Sequence, residues 1–518
     1  MSAANQNGAS ASKEQSRKKQ AVVVIHGMGE QFPMDTLRGF VDAVWVTDEK
    51  LISKARQDPN TGQQRVDNPV WDKPDRRNRS YELRRITTEK AKNGVRTDFY
   101  EFYWAHLMHG TSWEHLKCWF ADLLLRSPKR VPNNVFAAWV VLWIITLTAV
   151  VVFLAVILSL GALMQVPTDP RNISLFNWRL LVPIVLAVLS ITALVFLNRF
   201  LIQYFGDVAR YVKASPPNVA RRQEIREKGV ELLETLMGVR DVEPVRHGKE
   251  TTCPKWDTQY DRIIVVSHSL GTIVAYDILR ASFARINRYQ NQAGQGRKKQ
   301  PRRHELEKLL QEAFEKSGSM DVAQYRRLQR AAWQELKDEG NPWLVSDFIT
   351  LGSPLTHAEF LLVHDEEDLR TQQEKRTLPT CPPTLEWDQK TKHQHFTYAS
   401  GGGSSSGEFF RVPHHAAHFA FTRWTNIYST SKNILWGDIL SGPVGELFGL
   451  STPVAKLHGI LDIPVLPEQD FEKQPKDPIP FFTHTKYWDL GLRTSANDSW
   501  AAPYHIHKLR EAINLLDE

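Results

Sequence analysis

The sequence predicts an α/β fold in which a mostly parallel β-sheet is flanked by helices. Two observations lead to this prediction. Short apolar runs recur along the chain, and segments with helical periodicity lie between them. An apolar run without polar alternation is typical of a strand that is buried on both faces of a parallel sheet. Strands that alternate with helices favour such a sheet over an antiparallel one.

Five segments have the composition of strands. They are residues 21–27 (AVVVIHG), 97–105 (TDFYEFYWA), 261–269 (DRIIVVSHS), 343–353 (WLVSDFITLGS) and 421–429 (FTRWTNIYS). The third of these runs directly into the helical pattern LGTIVAYDILRASF. A strand that passes into a helix without a linker predicts a sharp turn at the junction.

The composition excludes several classes of protein. The chain has 518 residues, 42% of them hydrophobic and 24% charged, which indicates a globular fold for most of it. Its three cysteines lie far apart, so neither a disulfide framework nor a cysteine-built zinc site is expected. The net charge is +7, but no zinc-finger spacing or RNA-binding signature accompanies it, and no nucleic-acid partner is expected. The spacing of ligand-type residues suggests no metal, and we expect no cofactor.

Two long apolar runs interrupt the α/β pattern. Residues 131–168 and 180–198 contain no charged side chain, and a short linker separates them. About 20 apolar residues cross the hydrocarbon core of a bilayer, so the region 131–202 is predicted to be a transmembrane hairpin of two helices. A buried soluble helix is the alternative for the second run alone.

Basic residues flank this hairpin on both sides and predict its orientation. Those before the first run are Lys117, Arg126, Lys129 and Arg130, and those after the second are Arg199, Arg210 and Lys213. Because basic flanks stay on the cytoplasmic side, both termini and all soluble parts are predicted to be cytoplasmic.

The rest of the chain divides around this hairpin. Residues 1–20 are polar and are expected to form a disordered tail. The soluble domain is expected to comprise residues 21–130, 203–282 and 343–518. Residues 283–342 are highly charged with helical periodicity and are interpreted as a helical insertion. A solvated surface hairpin is the simpler interpretation of it, and a lid or a protein-partner site is the alternative, with the partner unknown.

One pentapeptide carries the strongest chemical signal. Ser267-His268-Ser269-Leu270-Gly271 lies at the junction of the third predicted strand and its helix. A serine on a sharp strand-to-helix turn exposes its Oγ above the sheet, and the helix N-terminus stabilises negative charge that develops beside it. The turn requires small residues on both sides of the nucleophile. Gly271 meets this requirement, and Ser267 stands where a glycine is usual.

This arrangement resembles the α/β-hydrolase superfamily, in its lipase and esterase branch, over most of the soluble chain. The resemblance implies an oxyanion hole made by two backbone amides, one after the nucleophile and one after an early strand. Leu270 is the first donor by this comparison. The early strand ends in Ile25-His26-Gly27-Met28-Gly29, similar to the His-Gly turn of lipases, so Met28 is the second. His26 and His268 flank the site and are interpreted as structural.

The resemblance also implies the chain order nucleophile, acid, histidine. Asp438 follows the fifth predicted strand and is expected to be the acid, with Asp462 as the fallback and Asp347 fitting less well. His484 precedes the C-terminal helix and is expected to be the general base. The turn at residues 350–355 is similar to one beside lipase active sites and is expected to shape the backbone. Histidines 414, 415, 418, 505 and 507 fit the base position less well.

Together these observations predict a membrane-anchored serine hydrolase. It would cleave a carboxylic ester through Ser269, His484 and Asp438 with an acyl-enzyme intermediate. The hairpin would hold the site at a bilayer, which favours an acyl lipid as substrate. A thioester or an acylated protein is an alternative substrate, and a catalytically idle scaffold of the same fold is an alternative function.

Overall fold

The computed structural model describes most of the soluble chain. The described residues are 19–28, 32–52, 67–74, 83–108, 124–131, 133–164, 184–185, 188, 191–192, 208, 210–212, 216–239, 258–287, 300–315, 320–399, 410–430, 438, 440–451, 456–465, 484–491 and 502–517, with the side chains of only part of 133–164. The predicted tail lies outside them, apart from residues 19–20, which belong to the first strand instead.

An eight-stranded sheet forms the centre of the molecule, and four short hairpin strands and two very short ones lie outside it. The strands are β1 Lys19–Ile25, β2 Val70–Pro74, β3 Arg84–Lys90, β4 Arg96–Phe102, β5 Arg262–His268, β6 Val345–Leu351, β7 Glu386–Asp388, β8 His393–His395, β9 Thr397–Ala399, β10 Arg411–Pro413, β11 Arg423–Ser429, β12 Leu450–Ser451, β13 Lys456–Leu457 and β14 Leu461–Val465. All five predicted strands are confirmed, as β1, β4, β5, β6 and β11.

The order of the strands in the sheet is β14-β11-β6-β5-β1-β4-β3-β2. The six strands from β14 to β4 pair in parallel, and only β3 and β2 run antiparallel at one edge. The mostly parallel sheet is therefore confirmed. Strands β2, β3 and β4 lie on one side of β1, and the later strands β5, β6, β11 and β14 lie on the other side. Ligands of open α/β sheets bind where the strand order reverses in this way, at the carboxyl ends of the strands.

Helices cover both faces of the sheet. The α-helices of the described residues are α1 Asp35–Val41, α2 Asn133–Met164, α3 Pro216–Leu236, α4 Leu270–Asn287, α5 Pro301–Glu315, α6 Val322–Asp338, α7 Ala358–Leu361, α8 Glu366–Glu374, α9 Gly445–Phe448 and α10 Tyr504–Ile513. A π-helical turn, Asp42–Val46, continues α1. This flanking arrangement was also predicted.

The side chains of the central strands alternate between two hydrophobic cores. Ile263 and Val265 of β5 belong to the core that contains α3 and α4, whereas Ile264 and Val266 belong to the core that contains α1 and α10. A strand that is buried on both faces needs apolar residues at every position. This requirement explains the continuous apolar run that identified β5 in the sequence.

The charged segment 283–342 differs from its simpler interpretation. Its two predicted helices exist as α5 and α6, and they pack against each other. However, α6 is not a solvated hairpin, because Tyr325 and Trp333 on it are buried in the main core. The Tyr325 hydroxyl donates a hydrogen bond to the Phe419 carbonyl oxygen at 2.7 Å. The two helices therefore complete the core, and part of their charge is itself buried, at Arg303, Glu307 and Glu335.

The first apolar run forms one helix, α2, of 32 residues. Among the residues that the structure describes, no helix combines the length and the apolar character that membrane crossing requires. The linker 169–179 and most of the second apolar run, 180–198, lie outside the described residues.

Candidate active site

Ser269 lies on the turn between β5 and α4, at the point where the strand order reverses. Its φ angle is 53°, in the left-handed region that residues other than glycine rarely adopt. Its amide donates a hydrogen bond to the Leu351 carbonyl oxygen at 3.0 Å, and its own carbonyl oxygen accepts from Thr272 at 2.9 Å. One end of the residue thus continues the sheet and the other begins the helix. The predicted sharp turn is present, and its strained backbone directs the side chain out of the sheet.

Close packing around this turn explains the residues beside the serine. A Cβ at Gly271 would lie 2.3 Å from the carbonyl oxygen of His26, so only glycine lets α4 start this close to the end of β1. A Cβ at Gly27 would lie 2.9 Å from the Cβ of Ser269. The turn after β1 therefore lies directly against the nucleophile.

Ser267, the departure from the usual glycine, fits the turn without distortion. It is 1% exposed and pairs with Ile25 of β1 and Thr350 of β6. Its hydroxyl donates to the carbonyl oxygen of Ile349 at 3.3 Å. A serine side chain is small enough for this position, and the hydroxyl that it adds has a hydrogen-bond acceptor.

His484 connects Ser269 to Asp438. Its Nε2 lies 2.7 Å from the Oγ of Ser269, and its Nδ1 lies 2.9 Å from an Oδ2 of Asp438. A carboxylate only accepts hydrogen bonds, so Nδ1 carries the proton and Nε2 of the neutral ring accepts from the serine hydroxyl. The structure thus brings together the three side chains that the sequence selected, in the arrangement that general-base catalysis requires.

Asp438 is held as an ionised carboxylate although it is only 1% exposed. Burial raises its pKa, but hydrogen bonds from His484, Tyr487 and Ser441 and the electrostatic interaction with His484 outweigh that effect and lower the pKa to about 2. The Leu440 amide donates to its other oxygen at 3.0 Å. The carboxylate is therefore charged and oriented throughout the neutral pH range.

The other candidate acids have different partners. Asp462 accepts from the Asn426 side chain at 2.7 Å and from the Gly445 amide at 2.8 Å, so it organises a loop. Asp347 forms buried ion pairs with Arg262 and Arg423. Neither is bonded to His484, which agrees with the preference for Asp438.

His26 holds the turn that carries one predicted oxyanion donor. Its Nδ1 donates to the Gly27 carbonyl oxygen at 2.7 Å, and its Nε2 accepts from the Trp104 amide at 3.0 Å. The ring stacks on Trp104 with centroids 5.1 Å apart. Burial lowers the pKa of His26 to about 4, so the ring stays neutral and can accept. The residue fastens the end of β1 to the end of β4, as its structural interpretation requires.

His268 holds the backbone of the catalytic loop. Its Nε2 donates to the carbonyl oxygen of His484 at 2.7 Å. Burial and the electrostatic interaction with the neighbouring His484 lower the pKa of His268 to about 3, so this ring also stays neutral. Its ring lies edge-on to Trp488, with centroids 4.9 Å apart. A residue of the turn that carries Ser269 thereby positions His484, the predicted base.

The two predicted oxyanion donors lie beside Ser269. Leu270 is the first residue of α4, and Met28 directly follows Gly27, which packs against the serine. In α/β-hydrolases, backbone amides at these two places stabilise the tetrahedral oxyanion. Their role as donors stays a prediction.

Tyr487 is a part of the site that the sequence did not single out. Its hydroxyl donates to Oδ2 of Asp438 at 2.8 Å and accepts from the Ser429 amide at 3.1 Å. It also lies 3.0 Å from the Oγ of Ser441, and the Gly352 backbone packs against its ring. In the sequence, only its position three residues after His484 pointed to a role for Tyr487. Tyr487 thus fixes the acid between two loops.

The variant Tyr487→Phe is expected to lower kcat about tenfold and the free energy of unfolding by about 1–2 kcal/mol. Loss of the hydroxyl frees Asp438 to rotate and leaves its carboxylate with one donor fewer, which raises the pKa of Asp438. Tyr325→Phe is the matched control, because it removes an equally buried hydroxyl bonded to a carbonyl oxygen away from the site. It should reduce stability and leave kcat unchanged. An equal loss of kcat in both variants would show that Tyr487 acts only through stability.

In comparisons with known proteins, no family model, no curated protein and no solved structure matches the chain. The function therefore has to be argued from the site itself.

Proposed function

We propose that the chain is a serine hydrolase of the α/β-hydrolase type that cleaves carboxylic esters. The observation that carries this proposal is the continuous set of hydrogen bonds from Ser269 through His484 to Asp438, on a strained strand-to-helix turn. A non-glycine residue at positive φ costs stability, and such strain clusters at functional sites. An idle scaffold has no need of this geometry.

The proposed reaction has two halves. The Ser269 Oγ attacks the ester carbonyl carbon while Nε2 of His484 takes the hydroxyl proton, and the Leu270 and Met28 amides stabilise the oxyanion. His484 then gives that proton to the departing alkoxide, which leaves an acyl group on Ser269. Water, deprotonated by His484, then attacks the acyl carbonyl, and His484 returns that proton to the Ser269 Oγ as the acid leaves. Asp438 stabilises the imidazolium in both halves and keeps Nδ1 protonated.

We further propose that α2 attaches the catalytic domain to a membrane and that the soluble parts face the cytoplasm. The 32 residues of α2 contain no charged side chain. Large apolar side chains are exposed along it: Ile144, Leu147, Val150, Val151, Phe153, Leu154, Ile157 and Leu158. A soluble surface rarely exposes so extensive an apolar patch. Attachment to a bilayer supports an acyl lipid as the substrate.

The activity can be tested with the full chain purified in a non-ionic detergent. We expect labelling by a fluorophosphonate probe and hydrolysis of p-nitrophenyl esters, with long acyl chains preferred over acetate. Matched thioesters assayed beside them distinguish the alternative substrate class. A chain that neither reacts with the probe nor cleaves any ester or thioester would be an idle scaffold, and the proposal would be wrong.

The membrane topology has a separate test. Protease added to sealed inside-out membrane vesicles should digest the catalytic domain, because the cytoplasmic side faces outwards there. Protection of the domain in intact vesicles, with digestion only after detergent is added, would contradict the proposed orientation.

A further inference from the structure

A cavity of about 430 Å³ lies beside α4, the helix that follows Ser269, and is lined by residues of α3, α4 and the segment around α7. Four arginines line it: Arg126, Arg222, Arg226 and Arg280. Two carboxylates, Asp277 and Asp368, line it as well, so its lining has an excess of two positive charges. Apolar side chains form another part of the wall: Val212, Ile273, Phe360, Leu361, Leu362, Val363 and Leu378. The cavity is therefore both cationic and apolar.

The negative charge of Asp277 is already shared among several donors. Its Oδ2 accepts from the Arg226 guanidinium and from the Tyr211 hydroxyl, the latter at 3.1 Å. Its Oδ1 lies 3.1 Å from Nη2 of Arg280. Asp368 accepts from the His364 amide at 3.1 Å, within its own helix and the turn before it. Asp277 is thus paired with Arg226 and Arg280, whereas among the described residues no contact pairs Asp368 with an arginine of the cavity, so the lining keeps its excess of positive charge.

Arg222 is the arginine of this lining for which the described part of the chain offers no ion pair. Its Nε is buried without a hydrogen-bond acceptor among the described residues. Its guanidinium lies 5.8 Å from the centroid of the Tyr211 ring. Burial and the neighbouring charge of Arg226 lower the pKa of Arg222. A partly buried guanidinium in this situation gains free energy from an added anion, because its planar donors suit phosphate oxygens.

The position of the cavity points to the kind of anion. Arg126 precedes the long apolar helix Asn133–Met164, and Tyr211 follows the second apolar run. Ile273 lies one turn along the helix that starts beside Ser269. The cavity lining thus includes a residue that precedes the first apolar run in the sequence, residues that follow the second, and the first turn of α4, and it combines a phosphate-binding group with an apolar wall.

We infer that this cavity, termed the arginine cavity, binds the phosphate of a phosphate-bearing lipid, with Arg222 as the principal contact and the apolar wall holding the first carbons of the lipid tail. The site is separate from the proposed nucleophile. Binding there requires no hydrolysis, so the inference can fail or succeed independently of the proposed function.

The test measures binding to the full chain in a non-ionic, phosphate-free detergent. The probe is a short-chain dialkyl-ether glycerol phosphate, which contains no ester and cannot be consumed. The same ether glycerol without phosphate and inorganic phosphate alone are the comparison ligands. The variant is Arg222→Gln, and the matched control is Arg221→Gln, which changes the same charge at an exposed position paired with Glu224.

We expect Arg222→Gln to weaken binding of the ether phosphate about tenfold or more, and Arg221→Gln to change it less than twofold. The phosphate-free ether should bind much more weakly than the ether phosphate. Inorganic phosphate that competes at equal affinity would overturn the lipid assignment, since the apolar wall would then contribute nothing. The proposed site would be wrong if Arg222→Gln and Arg221→Gln bound the ether phosphate equally well, or if the wild type bound the ether phosphate and the phosphate-free ether equally well.

Folding of the variant is checked by thermal unfolding without ligand. Arg222→Gln removes an unmatched charge, so its unfolding temperature should equal or exceed that of the wild type. If the variant nevertheless unfolds, Arg126→Gln reports on the same cavity from another segment. Ether phosphate affinity that is unchanged in Arg126→Gln would then contradict the inference.

Discussion

Replacement of Ser269 by alanine is expected to lower kcat for ester hydrolysis about 100,000-fold or more and to abolish fluorophosphonate labelling. The alanine has no nucleophile, so His484 has no proton to remove from the protein and no acyl-enzyme can form. Binding of substrate does not depend on the hydroxyl, so KM should change little. Steady-state kinetics and gel-based labelling measure the two effects.

The control for this variant is Ser282→Ala. Ser282 lies on the same helix, is fully buried, and its hydroxyl has no hydrogen-bond partner among the described residues. Its loss should leave kcat and labelling as they are. If Ser269→Ala keeps more than about one hundredth of the wild-type kcat, another residue is the nucleophile and the assignment of the site is wrong.

The second large effect is expected from Asp438→Asn, which should lower kcat roughly 1,000- to 10,000-fold with little change in the fold. The asparagine oxygen can still accept from the Leu440 amide, which places the NH₂ group against Nδ1 of His484. That nitrogen must then accept, so the proton moves to Nε2. A ring with its proton on Nε2 cannot take the proton of Ser269.

Asp462→Asn is the matched control, since Asp462 was the other candidate acid. Its carboxylate accepts from backbone amides, so we expect a loss of stability of about 1–3 kcal/mol and a kcat within about threefold of the wild type. A larger loss of kcat in Asp462→Asn than in Asp438→Asn would reverse the assignment of the acid.

The pH dependence of stability gives an independent readout of Asp438. Its pKa is about 2 in the folded chain against the ordinary value of 3.8, so its contribution to stability is fully present above about pH 4. That contribution, roughly 2 kcal/mol, is lost as the pH falls from about 4 to 2. Wild type should therefore lose its stability advantage over Asp438→Asn across this window. An advantage that is independent of pH would show that the carboxylate is not stabilised as described.

The parallel core of the sheet could be predicted because a strand that is buried on both faces has a short apolar sequence. Strands β1, β5 and β6 are buried along almost all of their length and appear as apolar runs. Strands β2 and β3 were missed because they lie at an antiparallel edge and are rich in charged residues. Strand β14 was missed because Pro464 interrupts it, which only an edge strand tolerates.

The residues of the site also differ in whether a local sequence pattern could predict them. Ser269 was identified by a turn motif of five residues, and His484 and Asp438 by their order along the chain. Tyr487 was not, because its role depends on a contact with Asp438 that joins two separate loops. No single segment could predict the arginine cavity, because its lining residues extend along the chain from Arg126 to Leu378.

The sequence by itself determined the α/β class, the nucleophile turn and the order of the proposed triad. These features depend on local periodicity and on short motifs that one segment contains. Only the tertiary structure decided the strand order, the positioning contacts of His26, His268 and Tyr487, and the unmatched charge of Arg222. Those depend on which distant segments meet, and segments of similar composition can be paired in many ways until the packing of the whole core selects one.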